Sequence, residues 1–309
     1  VSFTADVKEE LSRVEPVCSH CERATLAALV HLEGSLRLTG QGRMSLEVDT
    51  DSPSVARLMV KLLHSIYGLR TELTVRRSVL HKTPNYLISV PMQPALSDSL
   101  HDMGVLSDAG LDAGIDPAIV SKRCCRAAYL RGAFLASGFI ASPKGDFHFE
   151  ITVQNEHLAQ DLCKLMDEAG VHAKIMQRRS NYIVYMKSGS SISEFLALVG
   201  AHHCALAMEN VRVIKSVRND VNRCVNAELA NQQKASDASV EQIMAIRRVV
   251  DKVGKENLPP ALQEFIRLRV AHPDATLKEL GQYADPPLSK SAVYHRVRRI
   301  EELDGRSNE

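Results

Sequence analysis

No apolar run in this sequence approaches the ~20 residues that a membrane-spanning helix needs. Its opening, VSFTADVKEEL, is acidic and amphipathic where an export signal would be basic and then apolar. Excess charge is missing too: 38 Lys and Arg stand against 37 Asp and Glu, a formal net charge of +1. Any binding of nucleic acid must therefore come from a local concentration of basic residues and not from a polycationic surface. A disulfide framework is also lacking, because the seven cysteines are odd in number and include the adjacent pair Cys124 and Cys125. Cys18-Ser-His-Cys21 has the spacing of half a zinc motif, but no second C-x-x-C and no His-x-x-x-His follows it. With His20 and His31 too scattered to complete a site, Cys18 and Cys21 read as two half-buried thiols at a helix entry. No metal and no cofactor is expected, and the chain reads as cytoplasmic. With 45% apolar residues over 309 positions, it can bury a core large enough for two domains.

What is present is a repeat. LAALVHLEG at 26–34 returns as LRGAFLASG at 130–138, each a short apolar helix closing on small residues and glycine. After each copy the period changes from helix to strand and back, and SLEVDTDSPSVARLMVKLLHSIYGLRTELTVRR at 45–77 aligns with HFEITVQNEHLAQDLCKLMDEAGVHAKIMQRR at 148–179. Glu47 meets Glu150, Lys61 meets Lys164, Arg76-Arg77 meets Arg178-Arg179, and Asn85-Tyr86 meets Asn181-Tyr182. Each half reads α-β-β-α-β-β-α, preceded by a first helix capped by Thr4 with Val7, Leu11 and Val14 turned inward. A pseudo-twofold α+β domain over 1–207 follows, with halves of about 1–120 and 121–207. Ala27, Ala28, Gly132, Ala133 and Ala136 are small enough to let its two central helices touch closely.

This pattern resembles the LAGLIDADG homing-endonuclease fold, and the resemblance implies an acidic residue near the end of each motif helix holding a divalent metal against a scissile phosphate. Here those positions are Glu33 and Ser137. A serine hydroxyl is a poor ligand for a hard cation, so a paired cleavage site is not expected and both positions read as vestigial.

Beyond the duplication, 208–235 reads as a connecting helix rich in Asn and Arg. Arg218, Asn219, Asn222, Arg223, Asn226, Asn231 and Lys234 recur at steps of three and four, suited either to DNA or to contacts between domains. The last part, 236–309, reads as an all-α domain. Ser239 opens a helix with capping-box spacing, Pro259-Pro260 opens a second, and Thr276 to Glu279 caps a short third. LSKSAVYHRVRRIEEL then completes a helix-turn-helix: Val293, Val297 and Ile300 form one stripe, while Ser291, His295 and Arg298 point away from it. Ser289 is the expected N-cap, with Lys290 and Tyr294 on one flank of the outer face and Arg296 and Arg299 on the other. Four basic residues and no acidic one lie between Leu288 and Ile300, which marks this helix for the major groove of double-stranded DNA. Ser289, Lys290, Ser291, Tyr294, His295, Arg298 and Arg299 are the candidate DNA contacts.

A degenerate LAGLIDADG duplication, the segment RNDVNRCVNAELANQQK and a terminal helix-turn-helix together resemble the WhiA family over nearly the whole chain, with CSHC standing where adjacent cysteines are expected. The resemblance implies a DNA-binding transcription regulator of sporulation or cell division in Gram-positive bacteria, acting at promoters in the nucleoid. It also implies a terminal domain similar to the promoter-reading region 4 of sigma factors, and RNA polymerase or a WhiB-like iron–sulfur protein as partner. Two other classes stay open: a residual metal-dependent endonuclease, and a protein-binding scaffold at promoters.

Overall fold

The computed structural model describes residues 2–39, 43–77, 84–107 and 110–305. The turn expected between the first two strands and the last four residues of the expected terminal domain lie outside them. The chain forms two compact units, Val1–Lys215 and Ser216–Glu309.

In the first unit, α1 (Phe3–Leu11) precedes two similar runs of elements. The first run is α2 (Ser19–Glu33), β1 (Gly34–Thr39), β2 (Arg43–Thr50), α3 (Pro53–Tyr67), β3 (Glu72–Arg77), β4 (Pro84–Val90) and α4 (Ala95–Asp102). A small hairpin of β5 (Leu106–Ser107) and β6 (Gly110–Leu111) separates it from the second run. That run is α5 (Arg123–Ser137), β7 (Gly138–Ile140), β8 (Phe149–Val153), α6 (Glu156–Glu168), β9 (Lys174–Arg178), β10 (Asn181–Met186) and α7 (Gly189–Val199). The two antiparallel sheets have the same strand order, β1-β2-β4-β3 and β7-β8-β10-β9. Even the register repeats: Gly34 pairs with Val48 and Gly138 with Ile151, while Arg76 pairs with Asn85 and Arg178 with Asn181. The duplication legible in the sequence is thus one supersecondary unit built twice.

The motif helices α2 and α5 pack side by side in the core. Leu26, Ala27, Ala28, Ala133 and Phe134 are all fully buried. Thr25 reaches across the seam, its hydroxyl donating to the Ala128 carbonyl at 3.1 Å. The approach is tightest at Gly132, where a Cβ would lie 2.4 Å from the Thr25 carbonyl oxygen and 2.8 Å from the Ala28 Cβ. In the second half, Phe134, Phe149 and Phe195 fill the space under the sheet, with Phe149 and Phe195 meeting edge to face at 4.6 Å between ring centres.

The cap of α1 differs from expectation. Ser2 is the N-cap, its hydroxyl accepting from the Ala5 amide at 3.2 Å. Thr4 lies inside the helix and ties α1 to β7, donating to the Ile140 carbonyl and accepting from the Ile140 amide. The expected boundary at 235/236 also differs. The connecting helix and the helix expected to open at Ser239 are one element, α8 (His202–Val253). No Gly or Pro interrupts it before Gly254, which takes a φ of 81°. Ser239, instead of capping a new helix, donates its hydroxyl to the Pro273 carbonyl.

Within the second unit, the end of α8 packs with α9 (Pro260–Ala271), α10 (Leu277–Gln282) and α11 (Lys290–Gly305) around Ile246, Leu262, Phe265, Leu280, Val293, Val297 and Ile300. Thr276 and Glu279 form both hydrogen bonds of the expected capping box. The turn between α10 and α11 depends on Gly281: the Leu288 amide donates to its carbonyl at 2.8 Å, and a Cβ there would meet the Leu288 oxygen at 2.3 Å. Arg269 is 2% exposed and donates to the Ala275 carbonyl at 2.6 Å, fixing the loop from α9 to α10. A two-armed ion pair from Arg248 to Asp304, at 2.6 Å in its shorter arm, ties α8 to the end of α11.

Gly132→Val inserts a branched side chain where no Cβ fits, forcing α2 and α5 apart. The variant is expected to lose roughly 1–3 kcal/mol or more of unfolding free energy in a urea titration. The same change at exposed Gly305, which meets nothing within 4 Å, should be close to neutral.

Candidate nucleic-acid interface

Helix α11 presents the face that its periodicity predicts. Val293, Val297 and Ile300 are each 3% exposed or less, and the helix starts where Ser289 accepts from the Ala292 amide at 3.2 Å. Ser289, Lys290, Ser291, Tyr294, His295, Arg298 and Arg299 are all exposed. Arg296 differs from its neighbours: half-buried, it donates to Glu264 on α9 at 2.8 Å and so braces the helix against the core. Arg299 pairs with Glu302 along its own helix at 2.9 Å. Among the described residues neither Lys290 nor Arg298 forms an ion pair, which leaves both cations free for an external anion. Their spacing along a helix braced on its inner side by Arg296 and held at its far end by Arg248 is a rigid basic face.

Arg218, Asn219, Asn222, Arg223, Asn226, Asn231 and Lys234 are also all exposed, on the middle of α8. Arg223 is paired with Asp220 one turn earlier. The same stretch carries Val213, Val217, Val221, Val225 and Leu229, each about half exposed, at steps of four residues. Sequence reasoning followed the polar residues and missed this apolar stripe, although a period of four aliphatic residues was there to be counted.

At the other end of the motif helices, Glu33 and Ser137 are the last residues of α2 and α5. The Ser137 hydroxyl is engaged, donating to the Thr152 carbonyl at 2.6 Å. Glu33 is half-buried; burial pushes its carboxyl above the ordinary value, Asp49 and Asp51 add to this, and the Lys8 ammonium opposes it. Lys8 enters from α1, is 8% exposed, and donates to the Ala136 carbonyl at 3.2 Å. Burial lowers its own pKa, offset in part by Asp51 and Glu33. The described structure therefore brings a protein cation to the ends of both motif helices, where the resemblance implies a metal between two acids.

His31 has other work. Its Nε2 lies 3.1 Å from the Asp112 carbonyl and its Nδ1 3.0 Å from the Tyr129 hydroxyl, and burial lowers its pKa, so the ring is neutral, donating to the carbonyl and accepting from Tyr129. The thiols expected to stand as a half motif do not stand alone: the sulfurs of Cys18, Cys21, Cys124 and Cys125 all lie within 4.8 Å of one another. Arg76, Arg77, Arg178 and Arg179 are exposed on the outer strands β3 and β9 and their turns, in equivalent places of the two sheets.

Comparison with known proteins accounts for nearly the whole chain. The WhiA N-terminal LAGLIDADG-like domain matches residues 19–106, the WhiA LAGLIDADG-like domain 126–218, and the WhiA C-terminal HTH domain 221–304. A probable cell division protein WhiA of Heliobacterium modesticaldum is 44% identical over 98% of this chain and 96% of its own length. The probable cell division protein WhiA of Desulforamulus reducens is 42% identical over 98% and 95%. Among solved structures, full-length WhiA from Thermatoga maritima shares the fold, with a TM-score of 0.61, 24% identity and 99% of each chain covered. No helix among the described residues is long and apolar enough to cross a membrane.

Because the folded pKa of Glu33 lies above its ordinary value of 4.5, its carboxyl contributes fully to stability below that pH, and the contribution is lost as pH rises through the folded value. In Glu33→Gln this loss is absent. The stability gap between variant and parent, read from urea unfolding at a series of pH values, should favour the variant more at pH 7 than at pH 4. A gap independent of pH would remove the burial penalty assigned to Glu33.

Proposed function

The chain belongs to the WhiA family, and from that premise we propose that it is a sequence-specific DNA-binding transcription regulator in which α11 reads promoter DNA. The observation that carries this reading is the face of α11: Lys290 and Arg298 exposed and unpaired among the described residues, next to an Arg296 already committed to Glu264. A helix so braced loses little conformational freedom on entering a major groove, so its contacts are made by pre-positioned donors. Arg298 on the outermost line suits the paired acceptors of a guanine edge, while Lys290 in the first turn of the helix suits a phosphate. Ser291, Tyr294 and His295 flank them, and Arg299 lies at the margin of the face.

The duplicated domain is then a non-catalytic module. Its support is chemical: Ser137 offers a hydroxyl already donated to Thr152, and Lys8 occupies the neighbourhood in which a divalent ion would need carboxylates from both halves. Arg76, Arg77, Arg178 and Arg179 can add sequence-independent phosphate contacts from the two sheets. The biological setting proposed with this reading is control of sporulation and cell division.

A second reading has one observation of its own. The stripe of Val213, Val217, Val221, Val225 and Leu229 on α8 suits a protein helix or groove better than DNA, so the middle of α8 serves as a partner-binding surface at the promoter. RNA polymerase and a WhiB-like iron–sulfur protein are the partners that the family resemblance suggests. In that case Asn219, Asn222, Asn226 and Asn231 form the polar margin of a protein interface.

Fluorescence anisotropy of the full-length chain with genomic binding-site DNA separates these roles. Arg298→Ala should weaken cognate binding by about 1–3 kcal/mol and relax preference at one base pair, while Lys290→Ala should weaken all sequences alike and reduce the salt slope by about 1. Arg296→Ala should lower thermal stability while leaving base preference intact. Unchanged affinity and preference in Arg298→Ala would overturn the assignment of this face.

A further inference from the structure

The four cysteines at the start of the motif helices come from two places 106 positions apart in the sequence, taken from Cys18 to Cys124, yet their sulfurs converge within 4.8 Å. Cys18 is the N-cap residue of α2 and Cys21 lies in its first turn; Cys124 and Cys125 lie in the first turn of α5. All four are free thiols, Cys21 and Cys125 buried and Cys18 and Cys124 half-buried. The cluster lies at the opposite end of the helix pair from Glu33 and Ser137, about 20 Å away at 1.5 Å of rise per residue.

We propose that Cys18, Cys21, Cys124 and Cys125 form a tetrathiolate site for one structural zinc ion that fastens the two halves of the duplicated domain together. Tetrahedral zinc with Zn–S bonds of about 2.3 Å holds its sulfurs about 3.8 Å apart. The Cys18 and Cys21 sulfurs are 3.4 Å apart, and the whole set needs only shifts of about an ångström to reach that spacing. An iron–sulfur cubane spreads its cysteines over four separate irons and requires a wider cage. Disulfides join sulfurs only in pairs, whereas a single zinc ion accounts for all four converging on one point.

Two features of the helix starts favour an anionic cluster there. Helices α1, α3, α6, α7 and α10 carry Ser, Asn or Thr caps whose side chains accept an amide, whereas α2 and α5, like the proline-started α4 and α9, have no side-chain cap bond. The first amides of a helix lack an intrahelical i−4 carbonyl, and thiolate sulfur at a helix N-terminus is an acceptor for them. Helix α5 also opens with Lys122, Arg123 and Arg126 and no acidic residue, the reverse of what a helix N-terminus prefers by itself. Arg126 meets the Glu168 carboxylate at 2.9 Å, and four thiolates around one divalent ion carry a net charge of −2, a further counter-charge at this basic helix start. No other ligand is needed, because four thiolates complete a closed tetrahedral zinc site.

The full-length chain, expressed with added zinc and purified without chelator, should contain about one zinc per chain by elemental analysis, as a closed four-sulfur site requires. Cys18→Ser and Cys124→Ser, both at half-buried positions, should lose most of it, whereas Cys224→Ser, at the exposed thiol of α8, should retain it. Should either serine variant fail to fold, cobalt loading of the parent protein decides the matter, since a tetrathiolate site gives intense sulfur-to-cobalt charge transfer and a tetrahedral ligand-field spectrum. Removal of zinc by chelator under reducing conditions should lower the melting temperature. Zinc well below one per chain, zinc unchanged in the two variants, a cobalt spectrum without thiolate bands, a Cys18–Cys21 disulfide in place of metal, or iron with acid-labile sulfide would each overturn the proposal.

Discussion

The close approach of α2 to α5 is the constraint on which the first unit depends. Two helices can come this near only where side chains vanish, and Gly132 against Thr25 and Ala28 is where they do. Everything paired about that seam inherits its geometry: the sheets begin at Gly34 and Gly138, directly at the helix ends, so fixing the helices fixes both sheets. The same parallel packing brings the two helix starts together at one end and Glu33 and Ser137 together at the other. One contact surface therefore creates two opposite sites.

Those two ends have been treated differently. At the end where a divalent ion would need two carboxylates, Ser137 has turned its hydroxyl to Thr152 and Lys8 has been brought in from α1. An ammonium in a largely buried position is costly unless carboxylates and carbonyls face it, and Glu33, Asp51 and the Ala136 carbonyl do so. At the opposite end the thiols of Cys18, Cys21, Cys124 and Cys125 converge on one point.

The second unit shows how the last helix is held in place without using its outer face. Its inner side is apolar, one flank is braced by Arg296 to Glu264, the tail is held by Asp304 to Arg248, and the turn before it closes on Gly281. Each of these restraints acts on the inner side or the end, so Lys290 and Arg298 keep their charges for a partner. The long α8 then carries two kinds of exposed side chain, polar and aliphatic, on one continuous element.

Much of this was legible in the sequence because it repeats. The duplication, the αββαββα order and the outward face of α11 all follow from periodicity and alignment, which are local properties of the chain. The capping box at Thr276 was equally local, and it formed. Ser239 had the same spacing and did not cap, because spacing cannot show that an uninterrupted helix already runs through it or that the Pro273 carbonyl waits 34 positions away. Arg296 looked like one more basic side chain until Glu264 was placed beside it. Above all, Cys18 and Cys21 read as half a motif, since sequence spacing reports only neighbours along the chain. The other half, Cys124 and Cys125, is supplied by the packing of one motif helix on the other, a distance that only the tertiary structure could set.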